Sequence, residues 1–210
     1  DKKLTPLEQK GVDTGMGLER LAMALQNKSN VFETDLFKSL MAALPDDLPE
    51  RKKRIASDHA RGIVFLISDG VRLFNKEGGY ILRRLLRRMI VLMKDGIDPK
   101  KLFNLVVKEY QGFYLNLDKN TVNAVFDEEY RKFDQALNRG IQELEKMGEI
   151  DAKNAFKLYE SFGLPYEVIK EIGGAKAVAL KREDFDKELE AHQEISKAGA
   201  QSKFGGGGEF

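Results

Sequence analysis

The sequence contains no cysteine and only two histidines, His59 and His192, which lie 133 residues apart. Without cysteine the chain can form no disulfide, zinc finger or thiol nucleophile, and two such distant histidines make no local metal motif. We therefore predict no metal site in this chain. The lack of cysteine suits the reducing cytoplasm, which is the location we predict.

Long apolar runs are also missing, because no stretch approaches the roughly 18–20 residues of a membrane-spanning helix. The first residues, Asp1-Lys2-Lys3, are polar, so no secretory signal is predicted and no membrane is expected as a partner. Of the 210 residues, 42% are hydrophobic and 33% are charged, as in a globular protein of one large or two small domains. The first residue is not Met, which favours an excised fragment.

Charge is unevenly distributed along a chain whose net charge is only +1. Residues 51–100 carry 13 Lys and Arg against 5 Asp and Glu, a net charge of +8. Residues 101–210 carry 16 against 20, a net charge of −4. A basic block within a nearly neutral protein is a candidate surface for phosphate.

Apolar residues recur at three- and four-residue spacing along most of the chain, which predicts a predominantly α-helical fold. The predicted helices are 18–25, 36–43, 55–68, 80–93, 102–113, 121–147, a short one through Phe156 and Tyr159, 166–172 and 183–198. Residues 176–180 (KAVAL) could form a small strand. Residues 201–210 are predicted to be a flexible, glycine-rich tail.

The segment GVDTGMGLERLAMAL, residues 11–25, places two glycines at the predicted start of a helix. Gly15 and Gly17 would allow close backbone approach by a ligand, and the free amides and dipole of a helix start favour anions. Arg20, one turn into the helix, could contact a phosphate. Because a lone GxG pattern is a weak signal, an ordinary loop and amphipathic helix remains the alternative.

The segment FNKEGGYILRRLLRRMI, residues 74–90, contains four arginines at i,i+4 spacing and a single acid. A solvent-exposed helix face normally mixes charges of both signs, whereas arginine suits bidentate contacts with phosphate. The pattern therefore favours nucleic acid. The alternatives are a structural or protein-interaction domain, whose arginines pair internally with acids such as those of 127–129 and 183–190, and a stand-alone RNA-binding module.

Four ordered segments resemble the alanyl-tRNA synthetase family. VDTGMGLERL is similar to its third class II signature motif, and three further segments match the region that follows: SDHARGIVFLISDGV, NKEGGYILRRLLRR and AFKLYESFGLP. The terminal HQEISKAGAQSKF also matches. The resemblance implies a fragment, with the end of the class II catalytic domain in residues 1–28 and a helical tRNA-recognition domain in 29–200. The family's editing domain would lie beyond residue 210.

For the first segment, the resemblance implies a part in ATP-dependent activation of alanine. Arg20 would be catalytic, contacting the ATP phosphates, Asp13 would lie beside the alanine amino group, and Gly15 and Gly17 would line the pocket. ATP with Mg²⁺ is the expected cofactor of the full enzyme, and zinc is expected only in the editing domain. This fragment alone is expected to bind no cofactor and to be inactive.

For the later segments, the resemblance implies recognition of a G·U wobble pair in the acceptor stem of tRNA(Ala), with alanine and ATP as the other partners and no DNA. Asn75 would approach the minor groove, and Glu160, which stands where the family has aspartate, would approach the opposite groove. Gly78 replaces an arginine common in the family. Phosphate contacts are expected from the four arginines of the segment, which are Arg83, Arg84, Arg87 and Arg88.

Overall fold

The computed structural model describes residues 5, 6, 8, 9, 11, 12 and 14–204. Within them lie α1 Leu18–Leu25, α2 Asp35–Ala42, α3 Glu50–Ser68, α4 Glu77–Leu92, α5 Pro99–Tyr110, α6 Lys119–Lys146, α7 Ala152–Phe162, α8 Tyr166–Gly173 and α9 Arg182–Phe204. Short 3-10 helices cover Val31–Glu33, Met93–Asp95 and Gly174–Ala177. No strand occurs among the described residues, so the predominantly α-helical prediction is confirmed.

The centre of the fold is α3, which packs against α4, α5 and α6. Side chains at helical spacing meet there and are almost completely buried, among them Ile63, Leu86, Phe103, Phe126 and Phe133. Burying one such side chain contributes roughly 1.5–3 kcal/mol. This core fixes the position of α4, the helix that carries the arginines.

Aspartate side chains mark the starts of α5, α6 and α7. The carboxylates of Asp98, Asp118 and Asp151 each accept a hydrogen bond from a backbone N–H of the following turn, at distances of 2.7 to 3.2 Å. Such caps satisfy amides that have no partner within the helix. α7 ends at Gly163, whose φ of +66° is a left-handed conformation that favours glycine.

The last three helices form a layer beside α4 and α6: α7 packs on α6 and α9, and α8 packs on α4 and α6. Gly140 of α6 lies under the turn between α7 and α8. A Cβ at Gly140 would be 2.9 Å from Leu164 Cδ1 and 3.0 Å from Phe162 Cβ, so its absence lets this turn approach α6 closely. The approach brings α7 alongside the start of α4.

The strand suggested at 176–180 is wrong, because this segment begins within a 3-10 helix and continues as a turn. Ala177 and Leu180 are buried, while Val178 between them is 75% exposed. Burial thus recurs after three residues, as in a helical turn, and not after two as in a strand.

The two ends of the described chain differ in packing. α1 buries none of its residues, and Leu18, Leu21 and Leu25 are exposed. α9 continues to Phe204, four residues into the segment predicted as a tail, and residues 205–210 lie outside the described residues. Within the described part of the chain, none of the helices is long and apolar enough to cross a membrane.

Candidate nucleic-acid interface

A cleft of about 340 Å³ opens where the loop before α4 meets α7 and α9. It brings together five of the predicted RNA-binding residues: Asn75, Arg83, Arg84, Arg87 and Glu160. Tyr80, Tyr159, Leu189 and His192 are among the other lining residues. Arg88 does not line the cleft, although it lies on the same helix.

The loop that carries Asn75 lies tightly against the first turn of α4. A Cβ at Gly79 would be 2.5 Å from the carbonyl oxygen of Arg72 and 2.7 Å from the backbone nitrogen of Phe74, so only glycine fits. Glu77, which lies between Phe74 and Gly79 in the sequence, has a φ of +50°, which is uncommon for a residue with a side chain. The cost of this conformation is compensated by the surrounding packing, and the result is a defined position for Asn75.

The Asn75 amide is oriented by Arg83, whose Nη1 donates a hydrogen bond to Asn75 Oδ1. A guanidinium can only donate, so the amide oxygen must face Arg83. This oxygen has a second lone pair, and the Nδ2 group retains its donors. Asn75 can therefore offer both an acceptor and a donor to a ligand in the cleft.

Glu160, on α7, contacts His192 on α9, at 2.9 Å between Glu160 Oε1 and His192 Nε2. Both side chains are about half exposed. The His192 ring also lies against Phe156, with centroids 5.2 Å apart. These contacts restrain the carboxylate at the mouth of the cleft.

Two tyrosines form part of the cleft wall beside the arginines. Burial raises the pKa of Tyr159 to about 12, and the neighbouring Tyr80 hydroxyl adds to the shift. The Tyr159 phenol is therefore neutral near pH 7.

Arg87 is tied inside the protein. Its Nε donates to Glu129 Oε1 at 2.6 Å, its Nη1 donates to the Gly163 carbonyl at 2.7 Å, and its guanidinium lies 4.5 Å from the centre of the Phe133 ring. The Glu129 side chain is only 3% exposed. Arg87 thus joins α4 to α6 and to the end of α7, which corresponds to the internal pairing considered as an alternative from the sequence.

The other three arginines have different surroundings. Arg84 pairs with Glu167 of α8 at 2.5 Å, and Arg83 contacts Asn75 as described. Arg88 forms no ion pair with any carboxylate among the described residues, and burial lowers its pKa. Contact of these arginines with phosphate stays a prediction.

The residues predicted for ATP and alanine lie on another element. Gly15 and Gly17 precede α1, Arg20 is on its first turn, and all three are exposed. Asp13 lies outside the described residues. Gly17 is the N-cap of α1 and no side chain caps this helix start, so its free amides and Arg20 fit a phosphate group. No cluster of three or more acidic or histidine side chains that could hold a metal ion occurs in the described ranges.

Comparison with known proteins identifies the family of this chain. A family model described as tRNA synthetases class II (A) matches residues 1–205. The chain belongs to the tRNA synthetases class II (A) family. This confirms the resemblance to a class II synthetase that the ordered motifs predicted.

Curated relatives of this class II (A) chain carry the name Alanine--tRNA ligase. The protein of Elusimicrobium minutum is 39% identical over 94% of this chain and 25% of its own length. The proteins of Fusobacterium nucleatum and Treponema pallidum are each 34% identical, over 94% and 99% of this chain and 26% and 38% of their own lengths. The chain therefore spans about a quarter of the first two relatives.

Sequence reasoning did not find every residue of the cleft in this class II (A) chain. His192 and the pair Tyr80 and Tyr159 were not predicted, because each contact joins residues 32 to 79 positions apart. No spacing rule connects such positions. The only sequence signal was the position of His192 at the start of a segment that matches the family.

Proposed function

We propose that this chain is part of an alanine–tRNA ligase and binds the acceptor stem of tRNA(Ala), where it distinguishes a G·U wobble pair from a G·C pair. The observation that carries the proposal is that one cleft contains both Asn75 and Glu160, from segments 85 residues apart. The family match and the names of the relatives support the ligase part. The lack of cysteine suits a cytoplasmic location.

Asn75 is the residue that would distinguish the two base pairs. In a G·U wobble pair the exocyclic amine of guanine is left unpaired in the minor groove, which is wide and shallow in RNA. That amine can donate to the lone pair of Asn75 Oδ1 that Arg83 does not use. In a G·C pair the same amine is engaged with cytosine, so the contact is weaker.

Glu160 would contact the pair from the opposite groove. Its side chain is one methylene longer than the aspartate of the family, which moves the carboxylate outward. The contact with His192 supports a fixed place for this carboxylate in spite of the added length. The phosphate backbone is proposed to be contacted or framed by Arg83, Arg84, Arg87 and Arg88. The fewer internal pairs an arginine makes, the more directly it would contact phosphate.

The first residues would contribute the third class II motif to ATP-dependent activation of alanine. Arg20 would contact ATP phosphates and stabilise the charge that develops during adenylate formation, with Asp13, Gly15 and Gly17 around the substrate; in the full enzyme Mg²⁺ would accompany ATP. The exposed apolar stripe of α1 supports a division in which residues 1–28 pack against a catalytic domain and 29–200 bind the stem.

Replacement of Asn75 by alanine is expected to weaken binding of a G·U acceptor-stem duplex by about 1–3 kcal/mol. Binding of the matched G·C duplex should change much less, because the missing acceptor served the unpaired amine. The affinities are measured by fluorescence anisotropy at one fixed salt concentration. Asn104→Ala, an exposed asparagine on α5, is the matched control and should leave both affinities unchanged.

Equal losses on both duplexes would show that Asn75 is not the discriminating residue. Absence of salt-dependent binding by the unmodified chain would instead favour a structural or interaction domain. The ion pairs of Arg84 with Glu167 and of Arg87 with Glu129 are the observations that support this second candidate.

A further inference from the structure

A second basic depression lies outside the cleft, between the first turn of α3 and the last half of α4. Its volume is about 550 Å³, and its lining consists of Glu50, Arg51, Arg54, Ile55 and Arg88. It shares no residue with the cleft. Three guanidinium groups thus meet at one shallow, open site.

Two of the three arginines of this depression have no carboxylate partner among the described residues. Arg51 and Arg88 form no ion pair with a carboxylate anywhere in the described part of the chain. The neighbouring carboxylates are already paired with other cations: Glu50 with Arg54 at 3.0 Å, Glu171 with Lys52 at 3.5 Å, and Glu167 with Arg84 at 2.5 Å and Arg182 at 3.0 Å. The pair of Glu50 with Arg54 is exposed at i,i+4 spacing and therefore weak.

The Arg88 side chain is not fully satisfied by contacts within the described residues. Its Nε is buried and has no hydrogen-bond partner among the described residues. Burial is the largest cause of the lowered pKa of Arg88; the carboxylates of Glu171 and Glu167 oppose the shift, and the positive charges of Arg51 and Arg84 add a smaller lowering. A partly buried guanidinium without an ion-pair partner is stabilised when a negative group contacts its exposed nitrogens.

The chemistry of the depression fits a phosphate of an extended polyanion. Guanidinium groups bind phosphate oxygens in bidentate geometry, and an open, shallow site does not enclose a small ligand. Along α4, Arg88 lies eleven residues after Glu77, or about 17 Å at 1.5 Å per residue. A nucleic-acid duplex held in the cleft at the start of α4 can therefore extend over the depression.

We propose that Arg51, Arg54 and Arg88 form a second binding site for backbone phosphates of the RNA stem, at a distance from the wobble pair. The inference rests on the proposed function, because it takes the same stem as its ligand. Arg51 and Arg54 contribute affinity without distinguishing one base pair from another. The stem is thus bound at two sites: the cleft recognises the base pair, and the depression binds backbone phosphates of any sequence.

The test compares Arg51→Ala/Arg54→Ala with Arg131→Ala/Lys132→Ala in the full chain. Arg131 and Lys132 are exposed on α6, so the control removes the same charge elsewhere. Binding of G·U and G·C duplexes is measured from low to high salt. We expect the first variant to bind both duplexes more weakly by the same factor. The slope of log K against log salt should fall by about one for each phosphate that is no longer neutralised. The control should be affected much less.

Arg51→Lys/Arg54→Lys keeps the charge and removes the planar guanidinium groups, so it should recover only part of the affinity. Circular dichroism spectra that match the unmodified chain show that each variant is folded. The inference is overturned if Arg51→Ala/Arg54→Ala behaves like the control, or if it changes the ratio of G·U to G·C affinity. The proposed function fails separately, when the unmodified chain shows no preference for the G·U duplex.

Discussion

Replacing Glu129 with alanine is expected to lower the free energy of unfolding by about 3–5 kcal/mol. The Glu129 carboxylate is buried and accepts a hydrogen bond from Arg87 Nε at 2.6 Å. Its removal leaves Arg87, whose side chain is only 19% exposed, without its counter-charge. Paired charges in a protein interior are weakly stabilising as a pair, but the loss of one partner is costly because the other stays desolvated.

The measurement is chemical denaturation followed by circular dichroism, with Glu128→Ala as the matched control. Glu128 precedes Glu129 on α6, but its partner Lys132 and the carboxylate itself are in solvent, so its replacement should change stability little. Equal stability of the two variants would contradict the expectation.

A double variant separates the pair from its individual charges. Arg87→Met/Glu129→Leu should be less destabilised than the sum of the two single changes, because it leaves no unpaired charge behind. Additive losses would show that the two side chains act independently. Arg87 also donates to the Gly163 carbonyl at the end of α7, so a smaller part of the stability lost on replacing Arg87 comes from this contact.

The same contacts set the distance between the two proposed recognition residues. Arg87 joins α4, which follows Asn75, to the end of α7, which carries Glu160. The charge pattern alone did not decide whether Arg87 binds RNA or pairs internally. Its ion pair is internal, and it therefore serves the proposed site indirectly. It positions two elements, and the freer Arg83 and Arg88 remain available for contacts with a ligand.

Local signals predicted most of the helices correctly. Apolar spacing predicted α5 from residue 102, but the helix begins three residues earlier at Pro99, where the Asp98 carboxylate caps it. Apolar spacing located α3 from Ile55 onward, but its first residues, Glu50–Arg54, are polar and lie outside the predicted helix 55–68. The strand prediction for the KAVAL segment failed because its four small or apolar residues fit either a strand or a turn, and only the burial of Ala177 and Leu180 decides between them.

The site was less predictable than the helices, since its contacts join distant parts of the chain. The residues alone indicated that Glu160 is an ordinary surface glutamate, and only the family resemblance singled it out. The acids at 127–129 were considered as partners for the arginines, and Glu129 proved to be one. Glu167, the partner of Arg84, was not considered, because no periodicity relates α8 to α4.

Replacing Gly79 with alanine is expected to destabilise the chain and to remove the proposed preference for the G·U duplex. The new Cβ would meet the Arg72 carbonyl and the Phe74 amide at 2.5 and 2.7 Å. These are backbone atoms, so relief requires movement of the loop that carries Asn75, and overpacking of this kind costs roughly 1–3 kcal/mol. The displaced Asn75 amide could no longer meet the unpaired guanine amine.

Gly78→Ala is the matched control for this change. Its Cβ would lie 3.6 Å from a Val71 methyl group, which is an ordinary contact, and alanine in a helix is favoured over glycine by about 1 kcal/mol. The same methyl group is thus added to two adjacent glycines of one helical turn. The resulting changes in the free energy of unfolding should differ by about 2–4 kcal/mol. Gly78→Ala should keep the preference for the G·U duplex. If Gly79→Ala keeps this preference as well, the close approach of the loop does not position Asn75.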